Sequence, residues 1–139
     1  MPTTMEDQDI RWMQRFQNFE KALSHLDVAL QLKDPDILQK AGIIQFFEMS
    51  YELAWNTIKD YLEMQGFFDV KSPRDAFKKA FEIGLIEDGH SWMDLLLDRN
   101  LTSHAYYEEK ATEVEKLIHQ KYYPLLHQLY LTLKNRSNE

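Results

Sequence analysis

Apolar side chains recur at alternating steps of three and four residues along most of this chain, and this spacing constrains the fold most strongly. In the first long segment the stripe consists of Trp12, Phe16, Phe19, Leu23, Leu26 and Leu30. Residues with this spacing lie on one face of an α-helix. Four glycines and four prolines in 139 residues leave few positions at which long helices are interrupted. The pattern predicts an all-α fold and one domain spanning residues 1–139.

The same pattern divides the chain into five helices joined by short loops. We predict helices over residues 8–32, 36–65, 73–83, 90–102 and 108–133. Asp34 is the predicted N-cap of the second helix, with Pro35 in its first turn. Gly66 and Gly84 are expected to end the second and third helices. The lengths predict an antiparallel up-and-down four-helix bundle with one extra short helix.

Two further patterns predict how the long helices pack. The second helix carries apolar residues on two sides, which favours a central position between neighbours. In the last helix Pro124 is expected to introduce a kink, because its ring removes a backbone donor and clashes with the preceding turn. The inward side of that helix is predicted to consist of Val114, Leu117, Ile118, Tyr122, Leu125 and Leu129.

Composition excludes several classes of function. The chain has no cysteine, which rules out disulfides and thiolate sites, and its net charge is −7. An acidic chain gains nothing from long-range attraction to nucleic acid, so we expect no DNA partner, while a local RNA site stays open. The acidic N-terminus has no signal-peptide core, and no apolar run approaches the roughly 20 residues of a membrane span. We therefore expect a cytoplasmic protein that does not bind membranes.

One short segment combines side chains that could act on a phosphodiester. Arg99 continues the apolar stripe of Trp92 and Leu95, where a core residue is expected. His104 follows five residues later, about 140° around an ideal helix, so the two side chains converge only if the helix bends or a dimer joins two copies. The imidazole could act as general acid or base, and the guanidinium could hold phosphate oxygens.

The polar neighbours of this pair have supporting roles in that interpretation. Asn100 and Ser103 could orient the arginine or the histidine, and Tyr106 could lie at the mouth of the site. An RNA 2′-hydroxyl can supply the nucleophile, so the chemistry requires no metal. The simpler alternative is a surface pair or a capping contact at a helix end, since motifs this short match by chance.

Two other charged groups have both a functional and a structural interpretation. Glu48 and Glu52 lie four residues apart on the second helix and could anchor Arg99, or form a local ion pair on a solvated edge. A basic cluster on and before the third helix could dock RNA or an acidic partner, or be an ordinary charged face. It consists of Lys71, Arg74, Lys78 and Lys79.

Metal and nucleotide cofactors are not expected. The five histidines show no ligand spacing, and the chain has no glycine-rich phosphate loop. We therefore predict no metal and no cofactor.

The segment from Arg99 to Tyr106 is similar to the Arg-x4-His-x-Tyr motif of HEPN-domain proteins. The whole chain resembles more closely the nucleotidyltransferase substrate-binding protein family of that superfamily, over roughly residues 9–107. The resemblance runs through Asp9-Ile10-Arg11-Trp12, Phe47-Glu48-Met49-Ser50-Tyr51-Glu52-Leu53-Ala54-Trp55, Lys59-Asp60-Tyr61-Leu62, Ser72-Pro73-Arg74-Asp75, Gly84-Leu85-Ile86 and Asp98 to His104.

This resemblance implies a homodimeric helical bundle that is encoded beside a small nucleotidyltransferase. In related pairs the HEPN protein is a metal-independent RNase toxin, and the partner neutralises it, in some pairs by attaching AMP to the motif tyrosine. Carried over to this chain, Arg99 and His104 would be catalytic and Tyr106 would be modified. Asn100 would be a supporting residue.

Three hypotheses follow from the sequence. The leading one is a regulatory subunit, the toxin half of a toxin–antitoxin pair, that binds a small nucleotidyltransferase and its substrate. The second is an active endoribonuclease in which His104 activates the 2′-hydroxyl and Arg99 stabilises charge on the phosphate. The third is a helical bundle without a ligand. The nucleotidyltransferase activity is expected in the partner chain, because this sequence lacks a phosphate-binding loop.

Overall fold

The computed structural model describes residues 5–99 and 108–138. The predicted all-α class is confirmed, and no β-strand occurs within the described ranges. The helices are α1 (Met5–Leu30), α2 (Ile37–Met64), α3 (Pro73–Glu82), α4 (Gly89–Asp98), α5 (Glu108–Leu117) and α6 (Tyr123–Ser137), with a π-helical turn over Ile118–Tyr122 between the last two. None of the described helices carries an apolar stretch long enough to cross a bilayer.

The start of α2 differs from the sequence-based expectation. Asp36 is the N-cap, and its carboxylate accepts a hydrogen bond from the backbone N–H of Gln39 while the Gln39 side chain accepts one from the backbone of Asp36. Such a reciprocal capping box satisfies two amide groups that a helix start leaves unpaired. Asp34, the predicted cap, has a left-handed φ of 48° and lies in the turn between the helices. Aspartate tolerates this conformation better than most residues.

Helix α2 is the central element, as its two apolar sides predicted. It packs against α1 along their shared length and also contacts α3, α5 and α6. Ile43, Phe47, Ala54 and Ile58 are almost fully buried on α2. A side chain on α2 therefore has a fixed position relative to every neighbouring helix, which matters for the charged residues that this helix carries.

Helices α3 and α4 are short and begin at side-chain caps. Ser72 caps α3 through the backbone N–H of Asp75, and Asp88 caps α4 through that of Ser91. Gly84 follows α3 with a φ of 79°, a conformation that a side chain would strain. Helix α4 ends at Asp98 with Arg99 as its C-cap, whereas the sequence predicted a helix to residue 102, and the remainder of that prediction lies outside the described residues.

The last helical segment is interrupted before Pro124. The backbone N–H of Tyr123 donates to the carbonyl of Ile118, five residues earlier, which defines the π turn. This wide turn accommodates the proline, whose ring would otherwise clash with the preceding turn.

The π turn also explains a wrong residue in the predicted core. Leu126 is fully buried, whereas Leu125 is only half-buried, so the inward position after Tyr122 is Leu126 rather than the predicted Leu125. A π turn holds one residue more than an α turn, so four residues rather than three separate Tyr122 from the next buried position, and Leu129 is buried as predicted. Leu117 is also half-buried rather than inward. The buried positions of this segment are Ala111, Val114, Ile118, Tyr122, Leu126, Leu129 and Leu133.

Candidate functional site

Arg99 stands at the end of α4 and reaches across to α2. Its Nη2 atom donates a hydrogen bond of 2.8 Å to Oε1 of Glu52. The two side chains are 39% and 45% exposed, so the ion pair lies at the surface and water weakens it. Of the two proposed arginine anchors, Glu52 is the one in contact with Arg99. The pair holds a fixed positive charge at the point where the described part of α4 ends.

The carboxylate of Glu52 is held from a second side. Trp55, one turn further along α2, donates its indole N–H to Oε2 of Glu52 at 2.9 Å. One oxygen therefore faces the indole and the other faces the guanidinium. Because a carboxylate bonded through both oxygens cannot rotate freely, the arginine that it binds is held in place as well.

Tyr51 forms the floor beneath the guanidinium. The Cζ atom of Arg99 lies 5.3 Å from the centroid of the Tyr51 ring, a cation–π distance. The tyrosine is 1% exposed, and no described residue makes a hydrogen bond with its hydroxyl. Burial raises the pKa of Tyr51 to about 12, and Glu52 adds to that rise while Arg99 opposes it. The phenol is therefore protonated at neutral pH and can donate a hydrogen bond beside the guanidinium.

Two contacts with the π turn fix the end of α4. Tyr122 donates its hydroxyl to the carboxylate of Asp98, the residue directly before Arg99. One turn earlier on α4, Asp94 accepts a hydrogen bond of 2.9 Å from Nζ of Lys121. Burial and the hydrogen bond to Asp98 both raise the pKa of Tyr122. The π turn and Arg99 are therefore mechanically connected through one carboxylate.

An open hollow of about 360 Å³ lies beside the arginine on the surface of α2. Its lining includes Arg99 and both proposed anchors, together with the half-exposed Met49. Glu48 lies in this hollow, and no described residue makes a hydrogen bond or an ion pair with it. The chemical character of the hollow is therefore one cation, two carboxylates and an apolar thioether. The remaining lining residues are Gln45 and Leu53.

The rest of the predicted site falls outside the described ranges. These residues are Asn100, Ser103, His104 and Tyr106. Their proposed catalytic, supporting and modified roles stay predictions. The sequence interpretation also missed Tyr51, Trp55 and Tyr122 as supports of Arg99. The spacing of Tyr51 and Trp55 around Glu52 on one helix was a usable signal, whereas the contact of Tyr122 with Asp98 joins residues 24 apart and had none.

Other charged groups of the chain have simpler surroundings. Arg11 pairs with Glu63 at 3.7 Å, so it does not serve the carboxylates beside Arg99. In the basic cluster, Lys79 pairs with Glu82 at 2.8 Å, whereas Arg74 is exposed. Within residues 5–99 and 108–138, no three histidine, cysteine or acidic side chains gather as a metal site.

Known proteins that are similar to this chain support both the helical fold and the family resemblance found in the sequence. A probable ribonuclease HepT from Haemophilus influenzae is 36% identical over 87 residues, which are 58% of this chain and 60% of the relative. The match therefore spans less than two thirds of that relative's length. A crystal structure of a protein from Thermus thermophilus superposes with a TM-score of 0.72 at 30% identity, covering 80% of this chain and 94% of that one.

The family comparison covers more of the chain than either relative. Residues 14–135 match the model of the family described as nucleotidyltransferase substrate binding protein like. The matched range includes α2, the ion pair between Glu52 and Arg99, and the π turn. This chain belongs to the nucleotidyltransferase substrate binding protein-like family.

Proposed function

We propose that this chain is the HEPN-type binding subunit of a two-component system with a small nucleotidyltransferase, and the toxin half of a toxin–antitoxin pair. The family match over residues 14–135 carries the proposal. The four glycines of the chain lie far apart except for Gly84 and Gly89, so the sequence offers no glycine-rich phosphate loop. The nucleotidyl transfer accordingly belongs to the partner, encoded beside this chain, and this subunit supplies recognition.

Binding of the neighbouring nucleotidyltransferase tests this proposal directly. Both proteins are purified separately and titrated against each other by calorimetry, with sedimentation to determine the stoichiometry. We expect a complex with a dissociation constant in the micromolar range or tighter, containing two copies of this chain. No heat and no comigration at tens of micromolar would contradict the proposal. Growth arrest on expression of this chain alone, and rescue by co-expression of the partner, would support the proposal that this chain is the toxin.

The geometry of Arg99 favours an additional activity, metal-independent cleavage of RNA. The guanidinium is held by Glu52 from one side and by the Tyr51 ring from below, and it still borders an open hollow. A fixed cation at a solvent-accessible surface suits a phosphate oxygen that gains charge during reaction. The relative from H. influenzae carries the name of a probable ribonuclease, which points to the same chemistry.

In this mechanism the bonds and protons balance without a metal. His104 takes the proton of a ribose 2′-hydroxyl, and the 2′-oxygen forms a bond to the adjacent phosphorus. The bond from that phosphorus to the 5′-oxygen of the next nucleotide breaks, and a proton donated to this oxygen gives a 5′-hydroxyl end and a 2′,3′-cyclic phosphate. Arg99 stabilises the additional negative charge on the phosphate oxygens.

Cleavage of RNA in a chelator tests the mechanism. A labelled single strand is incubated with the protein in EDTA, and the product ends are identified by mass spectrometry. We expect cyclic phosphate ends from the wild type, and a large loss of them in His104→Ala and in Arg99→Ala. Full activity in either variant would exclude that residue from catalysis. The proposed regulation of this activity is the transfer of AMP from ATP to Tyr106 by the partner, with release of pyrophosphate. Incubation with the partner and labelled ATP should attach labelled AMP to the wild type and not to Tyr106→Phe.

A further inference from the structure

A second hollow lies between the two short helices α3 and α4. Its volume is about 310 Å³, and its lining includes Phe77, Phe81 and Met93. Phe77 is buried, but Phe81 is 53% exposed, which is unusual for a phenylalanine on a helix that packs against the core. An exposed aromatic ring at the edge of an apolar hollow is typical of a surface that a partner covers.

The close approach of α3 and α4 shapes this hollow. Gly89 is the first residue of α4, and a Cβ atom at this position would lie 3.1 Å from the Phe81 ring. Glycine therefore allows the ring to lie against the start of α4. The start of α4 and the end of α3 together leave apolar surface open to solvent.

The charges at the edge of the hollow indicate the chemistry of its occupant. Arg74 and Lys78 lie four residues apart on α3 and are both exposed, so they share one face beside Phe81. Neither of them makes a hydrogen bond or an ion pair with any described residue. Glu82 also lines the hollow, but its carboxylate pairs with Lys79 at 2.8 Å. In a chain of net charge −7, the two exposed cations beside an apolar hollow are complementary to an acidic, partly apolar surface.

Two other occupants fit these observations less well. A second copy of this chain related by a twofold axis would bring Arg74 and Lys78 close to their own counterparts, and like charges in an interface are costly. RNA would gain few contacts, because Lys79 of the basic cluster is paired with Glu82, the remaining cations neutralise few phosphates, and Phe81 lies over an apolar hollow rather than along a basic groove. A protein segment satisfies both the apolar hollow and its charged edge.

We propose that the surface formed by Arg74, Lys78, Phe81 and Met93 binds an acidic amphipathic helix of the partner nucleotidyltransferase. This inference rests on the proposed function, since it assigns a docking surface to the same partner. One large apolar side chain of the partner enters the hollow beside Phe81, and carboxylates of the partner pair with Arg74 and Lys78. The surface is made by α3 and the start of α4, whereas Arg99 stands at the other end of α4.

Calorimetric titration of the partner against matched variants tests the assignment. Arg74→Glu combined with Lys78→Glu should weaken binding at least tenfold, and Phe81→Ser should weaken it by a similar factor. The controls are Lys21→Glu combined with Lys116→Glu, and Leu131→Ser, which change exposed basic and apolar residues on α1, α5 and α6. These controls should bind within about twofold of the wild type. Raised salt should weaken the wild type more than the charge-reversed variant.

The outcomes separate this inference from the proposed function. If the wild type binds the partner and the α3 variants bind equally well, the docking surface is wrong while the proposed function stands. If the wild type does not bind at all, both are overturned. A shift from dimer to monomer in Phe81→Ser would assign the surface to self-association, and loss of RNA binding alone in the charge-reversed variant would assign it to nucleic acid. Either of these results would overturn the inference.

Discussion

Two of the arginine–carboxylate pairs that involve helix α2 have similar distances and differ in their surroundings. Asp60 accepts a hydrogen bond of 3.0 Å from Nε of Arg15, and Glu52 accepts one of 2.8 Å from Nη2 of Arg99. Both arginines are 39% exposed, but Asp60 is 7% exposed and Glu52 is 45% exposed. One carboxylate lies within the core and the other lies at an open hollow.

This difference separates a structural pair from a pair available to a ligand. A buried carboxylate has lost its water and depends on its arginine, so the pair between Arg15 and Asp60 holds α1 against α2. A half-exposed carboxylate keeps part of its water and contributes little to stability. The guanidinium of Arg99 can therefore donate to a phosphate from its solvent side while it stays bound to Glu52. Burial of the acid, rather than the ion-pair distance, identifies the two roles.

The largest expected effect is on RNA cleavage. Arg99→Ala should lower the cleavage rate about 100-fold or more, since removal of one preorganised charge at a phosphate has this magnitude. Arg15→Ala should leave the rate within about threefold at a temperature where the variant remains folded. Single-turnover cleavage in EDTA measures both. Equal losses in the two variants would show that cleavage reports folding alone and would remove the distinction between the pairs.

The next largest effect is on the free energy of unfolding. Asp60→Asn should lower it by about 2 kcal/mol, less than for a fully buried pair because Arg15 remains partly hydrated. Glu52→Gln should lower it by less than about 1 kcal/mol, since an amide can still accept the hydrogen bond from Trp55. Urea unfolding followed by circular dichroism checks both values. Glu63→Gln, which weakens the pair with Arg11, serves as the intermediate case, since Glu63 is 21% exposed.

The sequence predicted the buried face of the helices better than the contacts of the candidate site. The helical spacing of Phe16, Phe47 and Leu26 gave the all-α class and the buried face, because apolar periodicity reports burial directly. Arg99 stood out for the same reason, as a cation in an apolar stripe. The sequence named both Glu48 and Glu52 as possible anchors of Arg99, and the choice of Glu52 needed a distance across 47 positions that helical spacing does not contain.

The misplaced features have local physical causes. Asp36 rather than Asp34 caps α2, and choosing between two aspartates around a proline requires the backbone angles. The shift from Leu125 to Leu126 in the core follows from the π turn before Pro124, which adds one residue to the helical count. Each error arises where the backbone leaves the regular period that the prediction assumed.

Alkaline pH distinguishes the two pairs, because only the pair of Arg99 lies over Tyr51. Burial raises the pKa of Tyr51 to about 12 in the folded chain, whereas an unfolded tyrosine ionises near 10. The stabilisation is therefore complete below pH 10 and is lost as the pH rises from 10 to 12. Unfolding free energies at several alkaline pH values should decline less steeply in Tyr51→Phe than in the wild type. Identical slopes would mean that Tyr51 ionises normally in the folded chain.

The smallest expected effect is that of Tyr51→Phe at neutral pH. The substitution keeps the ring beneath Arg99 and removes a buried hydroxyl that has no hydrogen-bond partner among the described residues. Removing such a group relieves a desolvation cost, so the free energy of unfolding should stay unchanged or rise by up to about 1 kcal/mol. Chemical unfolding at pH 7 measures it, with Tyr122→Phe as the control that loses a real hydrogen bond to Asp98. A loss above about 1 kcal/mol in Tyr51→Phe would mean that the Tyr51 hydroxyl has a structural partner. The surroundings of Arg99 would then resemble the buried pair at Asp60 rather than an open site.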